Sequence, residues 1–445
     1  MRMSFQRAGV LGVLLVASGL ALTAGPAGAA PGDLDPTFGD YGRVRLDMPT
    51  DYRRAVAAVY PDGRVLIARS ERFRARIRIV RLLADGRIDP SFGNGEYAVT
   101  DFGGGISEAT AIAVQPDGRI LIAGAAAEPS EPVSGFRAHV PTDIAIVALT
   151  ADGDIDRNFG ENGRVVIGGL ENSDDQVEAL NVTASGSILV AFRSMQDPVV
   201  RIGVLRLTQN GAVDRRFGTN GSTSIDTETL ASYGLEAGSV VEQSDGKVVL
   251  CGTRVATQST GAVLGYVLVM RLRLDGTLDP SFDADGLVVA GSGYAESCAT
   301  LPDGGVVVVA DFAGTPMVHA LRLRADGSLD QTFAGDGHFE HALGISPDYQ
   351  GITGWGYSNE VRSVDLLPDG RLALGCLSGD FEPAVLVMSS DGETDASFGP
   401  DGLRRIDVGT ASQASEASEL VSVANASGIV VVATYQDKVT VARLN

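Results

Sequence analysis

Apolar positions in this chain come in short β-rich blocks separated by Gly, Asp and Pro, and helical spacing is nowhere sustained. Four kinds of block alternate in a fixed order, and we denote the four predicted strands A, B, C and D. Strand A is small and apolar, as in Ala109 to Val114, and ends at Pro-Asp-Gly or a variant of it. That turn recurs at Asp62-Gly63, Asp117-Gly118, Ser185-Gly186, Asp245-Gly246, Asp303-Gly304, Asp369-Gly370 and Ser427-Gly428. Asp-Gly between two β-rich runs is a strong hairpin signal, with both central residues expected at positive φ. Strand B is β-branched, as in Val65-Leu66-Ile67, and strand C follows, as in Ile144 to Leu149. Strand C feeds into the clause Gly-x-x-Asp-x-x-Phe, and strand D comes after it, as in Gly163 to Ile167.

The clause occurs seven times. Its acidic and aromatic members are Asp35 with Phe38, Asp89 with Phe92, Asp156 with Phe159, Asp214 with Phe217, Asp279 with Phe282, Asp330 with Phe333, and Asp395 with Phe398. A unit of four short strands, about 59 residues long, is too small to hold its own core and must stack on its neighbours. The expected fold is all-β: a seven-bladed propeller with four antiparallel strands per blade. The two ends of the chain supply the topology. Residues 31–35 start in the middle of a C-to-D connection, and residues 439–445 form a strand C that lacks its D. Joining Asn445 to Pro31 restores an ordinary repeat, so residues 42–47 are predicted to complete the last blade and close the ring.

The paired clauses resemble the delta-60 repeat, a family of functionally uncharacterised bacterial repeats. The resemblance covers nearly the whole chain beyond the leader and implies an exported β-propeller. It brings no catalytic residue with it. Asp283 and Ala334 depart from the Gly expected after Phe.

The first 29 residues read as a signal peptide. Arg2 and Arg7 precede an apolar run from Ala8 to Thr23, and Ala27-Gly28-Ala29 offers a small-x-small cleavage site. A membrane-spanning helix is the alternative for this segment, against which the run is short and rich in glycine. Residues 30–445 are read as one propeller domain, secreted, periplasmic or in the cell envelope. Without the leader the chain has 33 basic and 56 acidic residues. That balance argues against nucleic acid and against anionic membrane surfaces. It favours a monomer that stays in solution, and it leaves room for a divalent cation.

Cys251, Cys298 and Cys376 are far apart in sequence, and their apolar settings favour small buried hydrophobes. Export leaves a Cys251–Cys298 disulfide as the alternative. The repeated Asp is read as a cap on its own turn and the Phe as packing between blades. The rival reading is Ca²⁺ on acidic loops, with Asp152, Asp154 and Asp156 as its best cluster. That cluster lacks the Gly and the distal Glu of an EF-hand loop, so no cofactor is expected. His338 and His341 fall on opposite faces of a strand and read as surface residues. No nucleophile elbow, His-Glu-x-x-His or phosphate loop occurs.

Loop lengths point to the working face. A–B turns and C–D clauses are nearly constant and share one face, while B–C and D–A connections vary and share the other. The long ones are 125–142, 253–264, 226–238 and 342–359. The last carries the chain's single tryptophan among tyrosines. Trp355, Tyr357, Tyr349 and Tyr233 are the candidate ligand-binding residues, suited to a glycan, a peptide or a protein surface. The sequence therefore reads as an exported binding module. The alternative is a secreted glycan hydrolase or lyase with acidic residues at the channel mouth.

Overall fold

A computed structural model describes residues 30–48, 55–71, 75–104, 106–127, 141–168, 173–257, 262–311, 317–343, 360–378, 382–407, 417–425, 428–435 and 438–445. These residues build seven separate four-stranded sheets, all antiparallel. The first strand in the chain, β1 (Arg43–Asp47), belongs to the last blade. Blade 1 is β2 (Ala55–Val59), β3 (Val65–Glu71), β4 (Arg76–Leu82) and β5 (Ala98–Thr100). Blade 2 is β6 (Ile106–Val114), β7 (Ile120–Ala127), β8 (Asp143–Leu149) and β9 (Arg164–Ile167). Blade 3 is β10 (Asp174–Val182), β11 (Ile188–Gln196), β12 (Val199–Leu207) and β13 (Ser222–Asp226). Blade 4 is β14 (Gly234–Glu242), β15 (Val248–Thr257), β16 (Val263–Leu272) and β17 (Leu287–Ser292). Blade 5 is β18 (Tyr294–Thr300), β19 (Val306–Asp311), β20 (Val318–Leu323) and β21 (His338–His341). Blade 6 is β22 (Glu360–Leu366), β23 (Leu372–Leu377), β24 (Pro383–Met388) and β25 (Leu403–Arg405). Blade 7 is β26 (Ala417–Asn425), β27 (Gly428–Tyr435) and β28 (Lys438–Leu444), completed by β1.

The ring closes where the sequence places the seam. β1 pairs with β28 from Arg43↔Ala442 to Asp47↔Lys438. The Gly32 N–H donates to Asn445 O at 2.8 Å, as Gly211 N–H does to Thr208 O at 2.9 Å in an uninterrupted repeat. The first strand of each blade touches those of both neighbours, and β26 meets β2. Strands B and C are buried almost throughout because both faces of every sheet lie against another sheet. Inner strands β6, β10, β14, β18, β22 and β26 each contain a β-bulge, which the sequence pattern did not announce.

The A–B hairpins differ from expectation. Six of these connections have five residues, and the glycine alone is left-handed, as at Gly63 (φ +85°) and Gly118 (φ +89°). The Asp before it keeps negative φ, because Gly63 N–H bonds back to Tyr60 O and Arg64 closes the loop through Tyr60 N–H. The Asp carboxylate then accepts the N–H two residues on, as from Arg119 to Asp117 at 3.1 Å.

The clause turns out to be an interblade joint. Each Asp accepts the backbone N–H two residues on, at 2.8 Å for Thr37 to Asp35 and 2.9 Å for Ser91 to Asp89. The same contact recurs at Asp156, Asp214, Asp279, Asp330 and Asp395. The Phe rings are all buried, and in six of the seven joints the clause glycine of the following blade lies against the ring, Gly86 facing Gly39 and Val44 instead. A Cβ on Gly211 would stand 2.8 Å from Phe159 Cζ, and one on Gly153 2.9 Å from Phe92 Cε2. The residue after Phe adopts left-handed φ in six copies, including non-glycines Asp283 and Ala334, both at +50°. That conformation aims its N–H at the next blade: Gly160 to Asn210 O at 2.9 Å, Asp283 to Asp326 O at 2.8 Å. Gly399 departs, with φ of 174°.

A second charge completes the joint. Arg443, Arg81, Arg206 and Arg271, each from strand C, donate Nε to the Asp of their own blade at 2.7 to 3.1 Å. Arg322 makes the corresponding ion pair with Asp330 at 3.3 Å. These guanidiniums also reach a carbonyl of the next blade, as Arg206 Nη1 does to Leu274 O at 2.7 Å and Arg322 Nη1 to Ser390 O at 2.9 Å. Arg206 and Arg271 lie over the Phe217 and Phe282 rings at 4.4 Å. In blades 2 and 6 strand C has Ala148 and Val387 in that place, and the cation comes from the last residue of the A–B turn, as Arg119 and Arg371.

Candidate functional site

The two ends of the ring are built differently. On one end the C–D joints are bonded into the next blade, and the A–B hairpins repeat with little change. On the other, B–C connections range from two residues at 197–198 to fifteen at 128–142, and D–A connections from Gly293 alone to eighteen residues at 342–359. Two of the expected long loops are shorter than supposed. Most of 253–264 belongs to β15 and β16, leaving 258–262. The 226–238 segment is a seven-residue connection, 227–233, because β14 begins at Gly234. Likewise Ala125–Ala127 ends β7. In each case β-branched or small residues continue the ladder past the point where polarity suggested a loop.

Tyr233 sits at the end of the D–A connection into blade 4, with 78% of its surface exposed and its N–H bonded to Val255 O at 2.7 Å. Trp355, Tyr357 and Tyr349 lie outside the described residues.

Inner strands carry acidic residues near this end. Glu178, at the bulge of β10, pairs with Arg193 at 3.3 Å. Glu296, at the bulge of β18, lies 3.8 Å from Arg362, which also holds Glu360. Glu296 and Glu360 thus flank one guanidinium from adjacent blades, which offsets one of their two charges.

The acidic loop 152–156 is not gathered around a common point. Asp156 is buried and takes Arg119 Nε at 2.6 Å, while Asp152 and Asp154 are exposed. Among the described residues no group of three His, Cys, Asp or Glu is placed to hold a metal ion.

Cys251 and Cys298 form a disulfide that ties β15 of blade 4 to β18 of blade 5, correcting the reading of all three cysteines as free hydrophobes. The bulge at Gly238 brings Ser239 Oγ to Cys298, so the two blades approach closely there. Cys376 is a buried free thiol. Burial, then the Asp311 charge, push it well above the ordinary thiol range.

The histidines are arranged less simply than a surface pair. His319 of β20 stands opposite Glu340 of β21, with Nδ1 at 3.5 Å from its carboxylate. Burial lowers the His319 pKa, Glu340 opposes that, and His338 adds to it. His341, on the other face of β21, lies parallel to the Phe339 ring at 6.0 Å. A cavity of about 190 Å³ opens between this strand and the end of β17, lined by His319, His338 and Glu340. Its polar lining comes from two strands of blade 5 and the tip of blade 4, so no short motif betrays it.

These features define a β-propeller repeat protein. The chain matches the family model described as a domain of unknown function (DUF5122), beta-propeller, over residues 61–92, 243–282 and 301–333. Each stretch runs from an A–B turn to a clause Phe, at Phe92, Phe282 and Phe333. No curated protein matches the sequence. Among solved structures, the polysaccharide lyase Uly1 is 11% identical with a TM-score of 0.49, over 88% of this chain and 90% of that one. The Penicillium chrysogenum alpha-L-arabinanase complexed with arabinobiose is 14% identical with a TM-score of 0.45, over 78% and 98%. The alpha-L-arabinofuranosidase Arb93A from Fusarium graminearum, with an iminosugar inhibitor, is 10% identical with a TM-score of 0.43, over 81% and 97%. No catalytic residue carries across from them. Among the described residues no helix is long and apolar enough to cross a membrane.

Proposed function

We propose that this protein is an exported, monomeric binding module of the delta-60 repeat type, whose ligand-binding face is the end carrying the B–C and D–A connections. The observation that supports this is the contrast between the ends. One end spends its side chains on joining blades. The other varies from a single glycine to eighteen residues on the same frame, which is how binding loops are carried by rigid scaffolds. The exposed Tyr233 lies on that end, and Trp355, Tyr357 and Tyr349 belong in sequence to its longest connection. Aromatics there suit a sugar ring, a peptide or a protein surface. An interblade disulfide agrees with passage through an oxidising compartment, where residues 1–29 would serve as the signal peptide.

The alternative is a secreted glycan hydrolase or lyase. Glu296 and Glu360 on adjacent inner strands favour it, and the Arg362 guanidinium that both already engage weighs against it. A glycan and peptide binding screen with wild type, Tyr233→Ala and Trp355→Ala separates the readings. Saturable binding lost in either variant supports the module. Equal signal from all three removes the aromatic face, and turnover of a bound glycan favours the enzyme.

A further inference from the structure

The outer strand of every blade is a sheet edge, and six of the seven are short or carry an ionisable side chain. β1, β9, β13, β21 and β25 carry ionisable side chains, and β5 has three residues. Charge and brevity are the usual protections of an edge. β17 has neither. Its six residues, Leu-Val-Val-Ala-Gly-Ser, make it the longest outer strand, and none is charged. Among the described residues nothing pairs with its outer side.

Its exposed backbone groups can be assigned. Arg271 N–H donates to Gly286 O at 2.9 Å, so that pair is hydrogen-bonded. Alternation along an antiparallel ladder then makes Leu287 and Val289 the residues whose N–H and C=O point away from β16. Val288 and Ala290 pack toward blade 5, and Val289 is 45% exposed. Beyond Ala290 the strand bulges at Gly291, and the cavity of about 190 Å³ begins there. Leu321 and Ala320 line its apolar part, with His338 and Glu340 beside them.

The geometry points to β17 as a docking edge for an extended basic peptide segment, which adds as a fifth strand and places one lysine or arginine in the cavity beside Glu340. A residue opposite Ala290 on an added strand shares its face and so points toward blade 5, over the cavity. Strand addition of this kind takes its affinity from main-chain bonds and its selectivity from a side-chain pocket. The charge of the pocket selects the occupant. Its lining contains one carboxylate and two imidazoles but no lysine or arginine, Asp283 and Asp285 precede β17, and the chain has a net charge of −21. A long cationic side chain lays its stem on Leu321 and Ala320 and its head at Glu340, which is half-exposed. A second copy of this chain would bring like charges together at the same edge.

The test uses the full mature chain and a fluorescein-labelled hexapeptide alternating lysine and valine, with a glutamate–valine hexapeptide as control. The expected result is saturable binding of the lysine peptide alone. Val289→Pro removes only an outward N–H, a change edges tolerate, and should weaken binding at least tenfold. Glu340→Gln should weaken it three- to tenfold, and both variants should melt as wild type does. No binding of the lysine peptide, equal binding of the glutamate peptide, or undiminished binding by a folded Val289→Pro overturns the proposal. So does sedimentation showing a dimer that Val289→Pro dissociates. If Val289→Pro melts early, Val289→N-methylvaline, made by ligation or suppression, removes the same donor and decides the matter.

Discussion

Arg119 donates Nε to Asp156 Oδ2 at 2.6 Å from the last position of the A–B turn of blade 2, while the third strand offers Ala148 where most other blades place an arginine. The cation has moved from a strand to a turn and its partner has not. Arg119→Ala should therefore strand a largely buried carboxylate and cost about 3 kcal/mol. Ala148→Arg in the same chain should recover most of that loss, because position 148 matches Arg81 and Arg206 in the repeat. Urea unfolding midpoints of the single and double variants check both. A double variant no more stable than Arg119→Ala would show that the strand C position is not equivalent in this blade.

Acid should loosen all seven joints together. The pKa is held below the ordinary carboxylate value at Asp35, Asp89, Asp156, Asp214, Asp279, Asp330 and Asp395. At Asp279 burial pushes upward, but the Ser281 hydroxyl and N–H, then Arg271 and Lys247, hold the group at about 2. A depressed folded pKa gives stability that is present above the unfolded value near 3.8 and lost as pH falls toward 2. Asp279 alone contributes about 2 kcal/mol in that window. Melting temperatures should be flat from pH 7 to 5 and fall steeply below pH 4. A flat profile down to pH 2.5 would refute the linkage.

The disulfide makes a stoichiometric prediction. Native protein should show no thiol reactive to Ellman's reagent, because Cys376 is fully buried. Unfolding without reductant should expose one thiol, and unfolding with prior reduction three. Cys251→Ser with Cys298→Ser removes a cross-link spanning 47 residues and should cost about 4 kcal/mol by the loop-entropy estimate. Three thiols in the unreduced, unfolded chain would overturn the pairing.

Glycines with the same backbone should differ in what they tolerate. A Cβ on Gly211 (φ +84°) would stand 2.8 Å from Phe159 and Val165, whereas one on Gly370 (φ +88°) would meet nothing within 4 Å. Gly370→Ala should cost about 1 kcal/mol of backbone strain. Gly211→Ala adds overpacking against the next blade and should cost about 3 kcal/mol. Matched denaturation curves of the two variants measure the gap, and equal costs would mean that the Phe159 contact yields easily.

Blade number, strand order and the closing strand were legible because turn signals and clause are local and repeat in register. The arginine partners of Asp were less so, although the chain carried a cue: Arg81, Arg206, Arg271 and Arg322 all stand eight residues before their Asp. Blades 2 and 6 break that spacing, and Arg443 reaches Asp35 across the ends of the chain, so the pattern is hidden from a simple count. The cavity by β17 depends on a bulge at Gly291 and on which blade follows which. Neither leaves a trace in local periodicity. Cys251 and Cys298 illustrate the same limit, since only packing brings strand B of one blade to strand A of the next.

The seam between β1 and β28 has a consequence in time. Residues 43–47 leave the ribosome almost a full chain length before the strand they pair with. Until then the first segment has no sheet to join, and the six central blades can assemble without it. The last ladder to form is thus the one that turns an open stack into a ring, and it is the one a competing strand could most readily intercept.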